Sequence, residues 1–337
     1  MKRSWIFGIL AGMAVNSLAL APAWAQASFY EGKTITVVIG STGGMLEIAS
    51  RIMARHLGKY LPGNPTVIVQ NMPGAGHLVA TNHAYSVAKP DGLTLLAVNP
   101  AVGIAQLTKV DAARFDLRKF EWLGSSGGDG VALSIRADLP YQTWDELKKA
   151  DKELVVGTTG PGSNAHDFPL LLKEFAGAKF RLVSGYPANA DILLAVERKE
   201  VDAWAAFAIT VKLAVDRGVV RPIVRGRFAS PGFERLPVDE DLATSPVGKA
   251  IMGIRAAPLA IGRAYAAPPG TPADRVRLLR EAFAKAVKDE ELLADANKAK
   301  MPVGYIAFEE VRKMFAALLD QPPEVQKEMV KYIKFGS

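Results

Sequence analysis

The 337-residue sequence predicts an α/β protein of two lobes, each a mixed, mostly parallel sheet flanked by helices. Three observations carry that prediction. Short β-branched apolar runs alternate with helix-period segments from Phe29 onward. A strand runs into a glycine-rich turn and then a helix twice, once in each half. No low-complexity linker separates the halves, so strand crossovers and not a flexible tether should join them. Hydrophobic residues at 49%, charged residues at 22% and no cysteine exclude a disordered chain, a fibrous repeat and a disulfide-stapled domain.

The first segment stands apart. Lys2 and Arg3 precede an apolar run from Trp5 to Ala21, and Ala23-Trp24-Ala25 supplies a small-x-small cleavage site. That layout is a secretory signal peptide over residues 1–25, in preference to a membrane anchor, because the run carries Asn16 and Ser17 and is short for a spanning helix. The reading is an exported protein cleaved near Ala25. Lacking cysteine, it has no thiol nucleophile, thiolate metal site or disulfide.

Strands are predicted at Thr34–Ile39, Thr66–Gln70, Thr94–Val98, Val131–Ile135, Leu154–Val156, Phe180–Val183, Val201–Ala206 and Val219–Val224. Helices are predicted at Leu46–Tyr60, Leu78–Ala88, Trp144–Ala150, Ala165–Ala176 and Ala190–Glu200. From Pro272 to Tyr332 the chain should be nearly all helix, broken near Met301–Gly304 and Gln321–Pro323. Thr271 is expected as N-cap, with Pro272 at the first helical position. Lobe 1 is assigned to 29–124 plus 257–337 and lobe 2 to 125–256, from chain length against typical domain size. The excess of 41 Lys+Arg over 34 Asp+Glu is scattered. Its densest cluster, Arg217, Arg221, Arg225 and Arg227, has period-two spacing without aromatic stacking residues, which reads as a solvated strand face and not a nucleic-acid stripe.

The informative positions are the two glycine-rich loops. In Ile39-Gly40-Ser41-Thr42-Gly43-Gly44 a strand meets glycines and hydroxyls and then a helix start, and Thr158-Thr159-Gly160-Pro161-Gly162-Ser163-Asn164-Ala165 repeats the arrangement. The unpaired N–H groups of a helix's first turn, with the positive end of its dipole, form an anion site, and glycine lets a ligand approach the backbone. Facing each other across one cleft, two such loops could hold a small carboxylate by many weak donors. Gly160–Ala165 also satisfies the G-x-G-x-x-A dinucleotide pattern, so a dinucleotide-dependent enzyme is the alternative. Against it, the region about 20 residues on, Val183–Tyr186, offers no carboxylate for a ribose.

The motifs Gly43-Gly44-x-x-Glu47 with Arg51, Asn71-Met72-Pro73-Gly74-Ala75-Gly76 and Pro90-Asp91-Gly92-Leu93-Thr94-Leu95 occur in one order. Thr158–Ser163, Glu200-Val201-Asp202 and Pro269-Gly270-Thr271-Pro272-Ala273 follow. Together they resemble the substrate-binding receptors of tripartite tricarboxylate transporters, the Bug receptors, over nearly all of the chain after residue 25. The resemblance implies a type II-like, two-lobed periplasmic binding protein that closes on a small organic acid and delivers it to membrane permease subunits, performing no chemistry and needing no cofactor. It maps ligand contacts onto Ser41, Thr42, Gly43 and Gly44 in one loop and Thr158, Thr159, Gly160, Ser163, Asn164 and Ala165 in the other, with Tyr186 in a turn closing over the ligand's far end. Three departures bear on which acid is bound: Glu47 where aspartate is usual, Tyr186–Asn189 for a lysine-and-glycine turn, and Ala205–Ile209 where an aspartate-asparagine pair is common. If the strand Val201–Ala206 ends at the cleft, Trp204 or Phe207 could line it and favour an acid with an apolar body; both rings in the core is the commoner fate.

Ser163, His166 and Asp167 invite a hydrolase reading. A serine nucleophile needs a base oriented by a third group, and here adjacent His166 and Asp167 should diverge around the helix, with no G-x-S-x-G elbow in the sequence. His56, His77, His83 and His166 lack the i, i+4 spacing of a helical zinc pair, so satisfied or surface histidines and no metal are expected. Arg51 is read equally as a cleft cation or part of a solvated or interlobe ion pair, and Glu47 as a carboxylate folding back on the loop's N–H groups.

Overall fold

The structure is a computed structural model and describes residues 29–333 and 335; the expected signal segment lies outside them. Its strands are β1 (Thr34–Ile39), β2 (Thr66–Asn71), β3 (Thr94–Val98), β4 (Glu121–Ser125), β5 (Val131–Arg136), β6 (Leu154–Thr158), β7 (Phe180–Ser184), β8 (Ala203–Phe207), β9 (Val220–Arg225), β10 (Ala264–Ala267) and β11 (Ile306–Ala307). The helices are α1 (Gly44–Leu57), α2 (Leu78–Ser86), α3 (Val102–Leu107), α4 (Trp144–Lys148), α5 (Asn164–Ala176), α6 (Asn189–Glu197), α7 (Ala208–Asp216), α8 (Pro246–Ile261), α9 (Ala273–Ala286), α10 (Glu290–Lys298), α11 (Phe308–Leu319) and α12 (Pro323–Met329).

They build two mixed sheets flanked by helices, ordered β11-β4-β10-β3-β1-β2 and β7-β6-β8-β5-β9. In the first, β1 pairs in parallel with β2 and β3, while β10 runs antiparallel to β3 and β4, and β11 antiparallel to β4. In the second, β6 pairs in parallel with β7 and β8, and β5 runs against β8 and β9. Most strands of each sheet thus share one direction. Both faces of the central strands are covered, which is why strands such as Thr94–Val98 read as apolar runs and not as alternations.

All eight expected strands form, within a residue or two at their ends. Three strands and three helices were not expected. β10 is Ala-Tyr-Ala-Ala, and alanine is a poor strand former; it is central because small side chains fit between β3 and β4. α8 carried its signal in Ser245-Pro246: the serine hydroxyl accepts the Gly248 N–H at 3.1 Å, and proline sits in the first turn. α9 starts one residue later than expected, with Pro272 in the N-cap position; Thr271 instead donates its hydroxyl to the Pro268 carbonyl at 2.8 Å. In the arginine cluster Arg217 and Arg227 are exposed, as a solvated face requires, but the guanidinium groups are also paired: Arg221 donates to the carbonyls of Ala137, Leu139 and Tyr141, and Arg227 pairs with Glu240 and Asp241.

The chain crosses between the sheets at residues 126–130 and returns between α8 and β10. The crossovers bond to each other: Ser126 N–H to Arg263 O at 3.0 Å, Arg263 N–H to Gly127 O at 3.1 Å, and Asp129 N–H to Leu259 O at 2.9 Å. Arg263 also reaches the Asp129 carboxylate at 2.8 Å. Gly262 is obligatory here, since it has φ +65° and a Cβ would lie 2.0 Å from the Gly127 carbonyl oxygen.

Candidate functional site

The carboxyl end of β3 and the starts of α1 and α5 open onto one cavity of about 450 Å³. Met45, Leu46 and the Val98–Ala101 turn line it from the six-stranded side, and Gly162, Asn164, Asp167 and Phe207 from the five-stranded side. Asp129, Gly262 and Arg263 of the crossovers lie at its floor, with Arg255, Pro258 and Leu259 of α8; Ile333 and Phe335 complete the wall.

The first loop delivers a helix start without a cap. Gly43, in the N-cap position of α1, offers no side chain, and Gly44 turns the chain at φ +79°. The first-turn N–H groups therefore have no side-chain acceptor, which leaves the positive end of a 14-residue helix beside the cavity. Ser41 Oγ is buried with no hydrogen-bond partner, whereas Thr42, Gly43 and Gly44 are exposed. Asn71 holds this loop: its amide donates to the Ser41 carbonyl at 2.5 Å and accepts from Arg51 at 3.0 Å. Arg51 pairs with Glu47 at 2.6 Å and does not line the cavity, and Glu47 does not fold back on the loop as expected, because that guanidinium holds it.

In the second loop most hydroxyls are already committed. Thr158 Oγ1 pairs with Ser184 Oγ at 2.9 Å, and Thr159 donates to Ser163 Oγ at 2.7 Å. Ser163 donates to the Gly160 carbonyl at 2.7 Å while accepting the His166 N–H, as a helix cap does. Ala165 is buried, and Asn164 is the expected contact residue that lines the cavity directly. Tyr186 packs on the cluster around Ile192 and Trp204, away from the cavity lining. Trp204 is fully buried and donates its indole N–H to Asn189, so of the two rings only Phe207 reaches the cavity.

His166 and Asp167 do not diverge: Nδ1 lies 2.9 Å from the Asp167 carboxylate, which also accepts the Gly162 N–H. The serine hydroxyl bonds to Thr159, the Gly160 carbonyl and the His166 backbone N–H and not to the His166 ring, so the three groups do not form a nucleophile–base chain. His77 is neither satisfied nor on the surface. It takes a left-handed conformation at the start of α2, with Nδ1 buried and unpartnered at the cavity wall, and burial lowers its pKa. His56, Asp289 and Glu291 come within metal-ligand distance of one another, but Lys59 Nζ already lies 2.6 Å from Asp289.

Arg255 had no place in the sequence reading. It is 6% exposed, lies over the Phe168 ring at 4.6 Å, and gives Nη2 to Asp239 at 2.7 Å. Its Nε and Nη1 have no partner. The signal was present: it is the one charged residue between Ala250 and Gly262.

Two α/β sheets with a shared cavity where they meet define a solute-binding protein of the periplasmic type. The chain belongs to the tripartite tricarboxylate transporter receptor family, whose model matches residues 49–321. It is 29% identical over 296 residues to a UPF0065 protein of Cupriavidus necator, covering 83% of this chain and 82% of that one. A UPF0065 protein of Bordetella pertussis is also 29% identical, covering 82% and 83%. A solved solute-binding protein of the same family from Polaromonas superposes with a TM-score of 0.74 at 22% identity, covering 90% of this chain and 99% of that one. A Rhodopseudomonas palustris protein solved with adipate gives 0.55 at 18%, covering 88% and 97%. Another from that organism, solved with malate, gives 0.51 at 20%, covering 89% and 97%.

Proposed function

We propose that this protein captures a small organic acid in the cavity between its sheets and delivers it to the membrane subunits of a tripartite tricarboxylate-type transporter, without chemistry of its own. The observation that carries the reading is the uncapped start of α1 opening onto the same cavity as the start of α5. First-turn N–H groups from both sides can converge on one carboxylate. Micromolar affinity needs about 8 kcal/mol, which a few charge-assisted bonds of roughly 1.5–3 kcal/mol each can approach. The family is periplasmic, the structural relatives include proteins solved with malate and adipate, and the expected signal peptide agrees with export. The lobes proposed, 29–124 plus 257–337 and 125–256, are supported by the way strands up to Ser125 and from Ala264 make one sheet.

The loop residues proposed to contact the acid are Ser41 to Gly44 and Thr158 to Ala165, with Ser41 Oγ and Asn164 supported by an unpartnered hydroxyl and by cavity lining. A thermal-shift screen of organic acids against NAD and NADP tests the reading. An acid at a hundred times its Kd should add about 2.7 kcal/mol of stability, and solution scattering should contract with it. Stabilisation by a dinucleotide and by no acid would overturn it.

A further inference from the structure

We infer that the ligand is a monocarboxylate with an apolar body, not a di- or tricarboxylate; this rests on the organic-acid reading above. Exposed apolar side chains that gather in one polar-rimmed groove mark a binding site, whereas scattered ones do not. Met45 in the first turn of α1 and Phe207 at the end of β8 are each 39% exposed, and both line the same cavity. Ile104, Leu259 and Phe335 extend that apolar wall. Gly76 admits the Phe335 ring, since a Cβ there would lie 3.0 Å from it.

The charges are as telling. The ionisable residues lining the cavity are Arg255, Arg263, Asp129, Asp167 and His77, with Asp239 behind Arg255. Arg263 gives its two terminal nitrogens to Asp129 and the Pro302 carbonyl, leaving only Nε without a partner. Asp167 holds His166 and a loop N–H. Burial lowers the pKa of His77 and so disfavours its charged form. Among the described residues Arg255 is left as the one lining cation with two unused donors, and it stacks on Phe168, one helical turn beyond Asn164 on α5. With both helix starts converging on one carboxylate, as proposed above, one cation suits one charge. Second and third carboxylates would meet Met45, Ile104 and Phe207, where a charge loses its water and gains no partner.

Titration calorimetry on the mature full chain, with benzoate, phenylacetate and octanoate against malate, adipate and citrate, tests this. At least one monocarboxylate should bind tenfold or more tightly than every polyacid. Phe207→Ala should weaken that acid about tenfold, as expected for lost apolar burial. Met45→Ser should weaken it in the same direction, and both side chains are exposed enough for the fold to persist without them. Tighter binding of malate, adipate or citrate would overturn the inference while leaving the organic-acid function standing. Unchanged affinity in both variants would also overturn it, and binding of no acid at all would overturn the function with it.

Discussion

Replacing Asp239 by alanine should cost about 3–5 kcal/mol of stability, the usual loss when one partner of a buried ion pair is removed. Both side chains are almost wholly inaccessible, and their one hydrogen bond is 2.7 Å long. For a chain of roughly 300 residues unfolding with about 2.1 cal/mol/K each, that loss lowers Tm by roughly 5–8 °C. The pair is under-satisfied, since Asp239 Oδ1 and Arg255 Nε and Nη1 lack partners. The double variant Asp239→Leu with Arg255→Met should therefore melt near the parent or above it, because apolar side chains of similar size leave no buried group unpaired. It should nevertheless lose ligand affinity tenfold or more, separating the structural from the binding role of Arg255. Scanning calorimetry and titration of all three proteins decide it. A loss below about 1 kcal/mol for Asp239→Ala would refute the reasoning, because it would mean that no charge pair is broken.

Gly262→Ala should destabilise by about 2–5 kcal/mol, combining positive φ with overpacking against Gly127, as urea unfolding would register. Asn71→Ala should cost about 1 kcal/mol of stability for its lost bonds while weakening ligand binding, because the first loop loses its brace; melting and titration measure the two effects. Acid should weaken the contact between α1 and the α9–α10 turn. Hydrogen bonds from Arg55 and His56 hold Asp295 down to about 2, and for Asp289 those from Lys59 and Tyr60 outweigh the upward push of burial. That stability is complete above the ordinary carboxylate value near 4 and is lost as pH falls toward 2, which Asp295→Asn should flatten in a pH series of melting temperatures. Asp239 has the opposite sign, since burial raises its pKa against the pull of Arg255; stability falls as pH rises from about 4 through its folded value, and Asp239→Asn should remove that slope.

The sequence exposed whatever depends on local pattern. Strands buried on both faces announce themselves as β-branched runs, so Thr34–Ile39 and Thr94–Val98 were readable to the residue. β10 was not, because four small residues satisfy no strand preference until β3 and β4 enclose them. The two helix starts were visible from glycine and hydroxyl spacing, but the use of each hydroxyl was not. Thr158, Thr159 and Ser163 look like ligand donors in a string of letters, yet each spends its hydroxyl on β7 or within its own loop, while Ser41, of the same chemical type, is left unpartnered.

That difference follows from how the loops close. The second loop caps its own helix through Ser163 and so holds its shape without a ligand. The first has glycine where a capping side chain would stand and is braced from outside by Asn71, so its helix start keeps its donors for something else. The residues that would set the proposed selectivity lie farther along the chain. Phe207 ends a strand 44 residues after Ser163, and Arg255 lies on a helix that reaches the cavity only because the returning crossover bonds to the outgoing one at Gly127 and Asp129. Spacing along the sequence could not bring these residues together; the paired crossovers do.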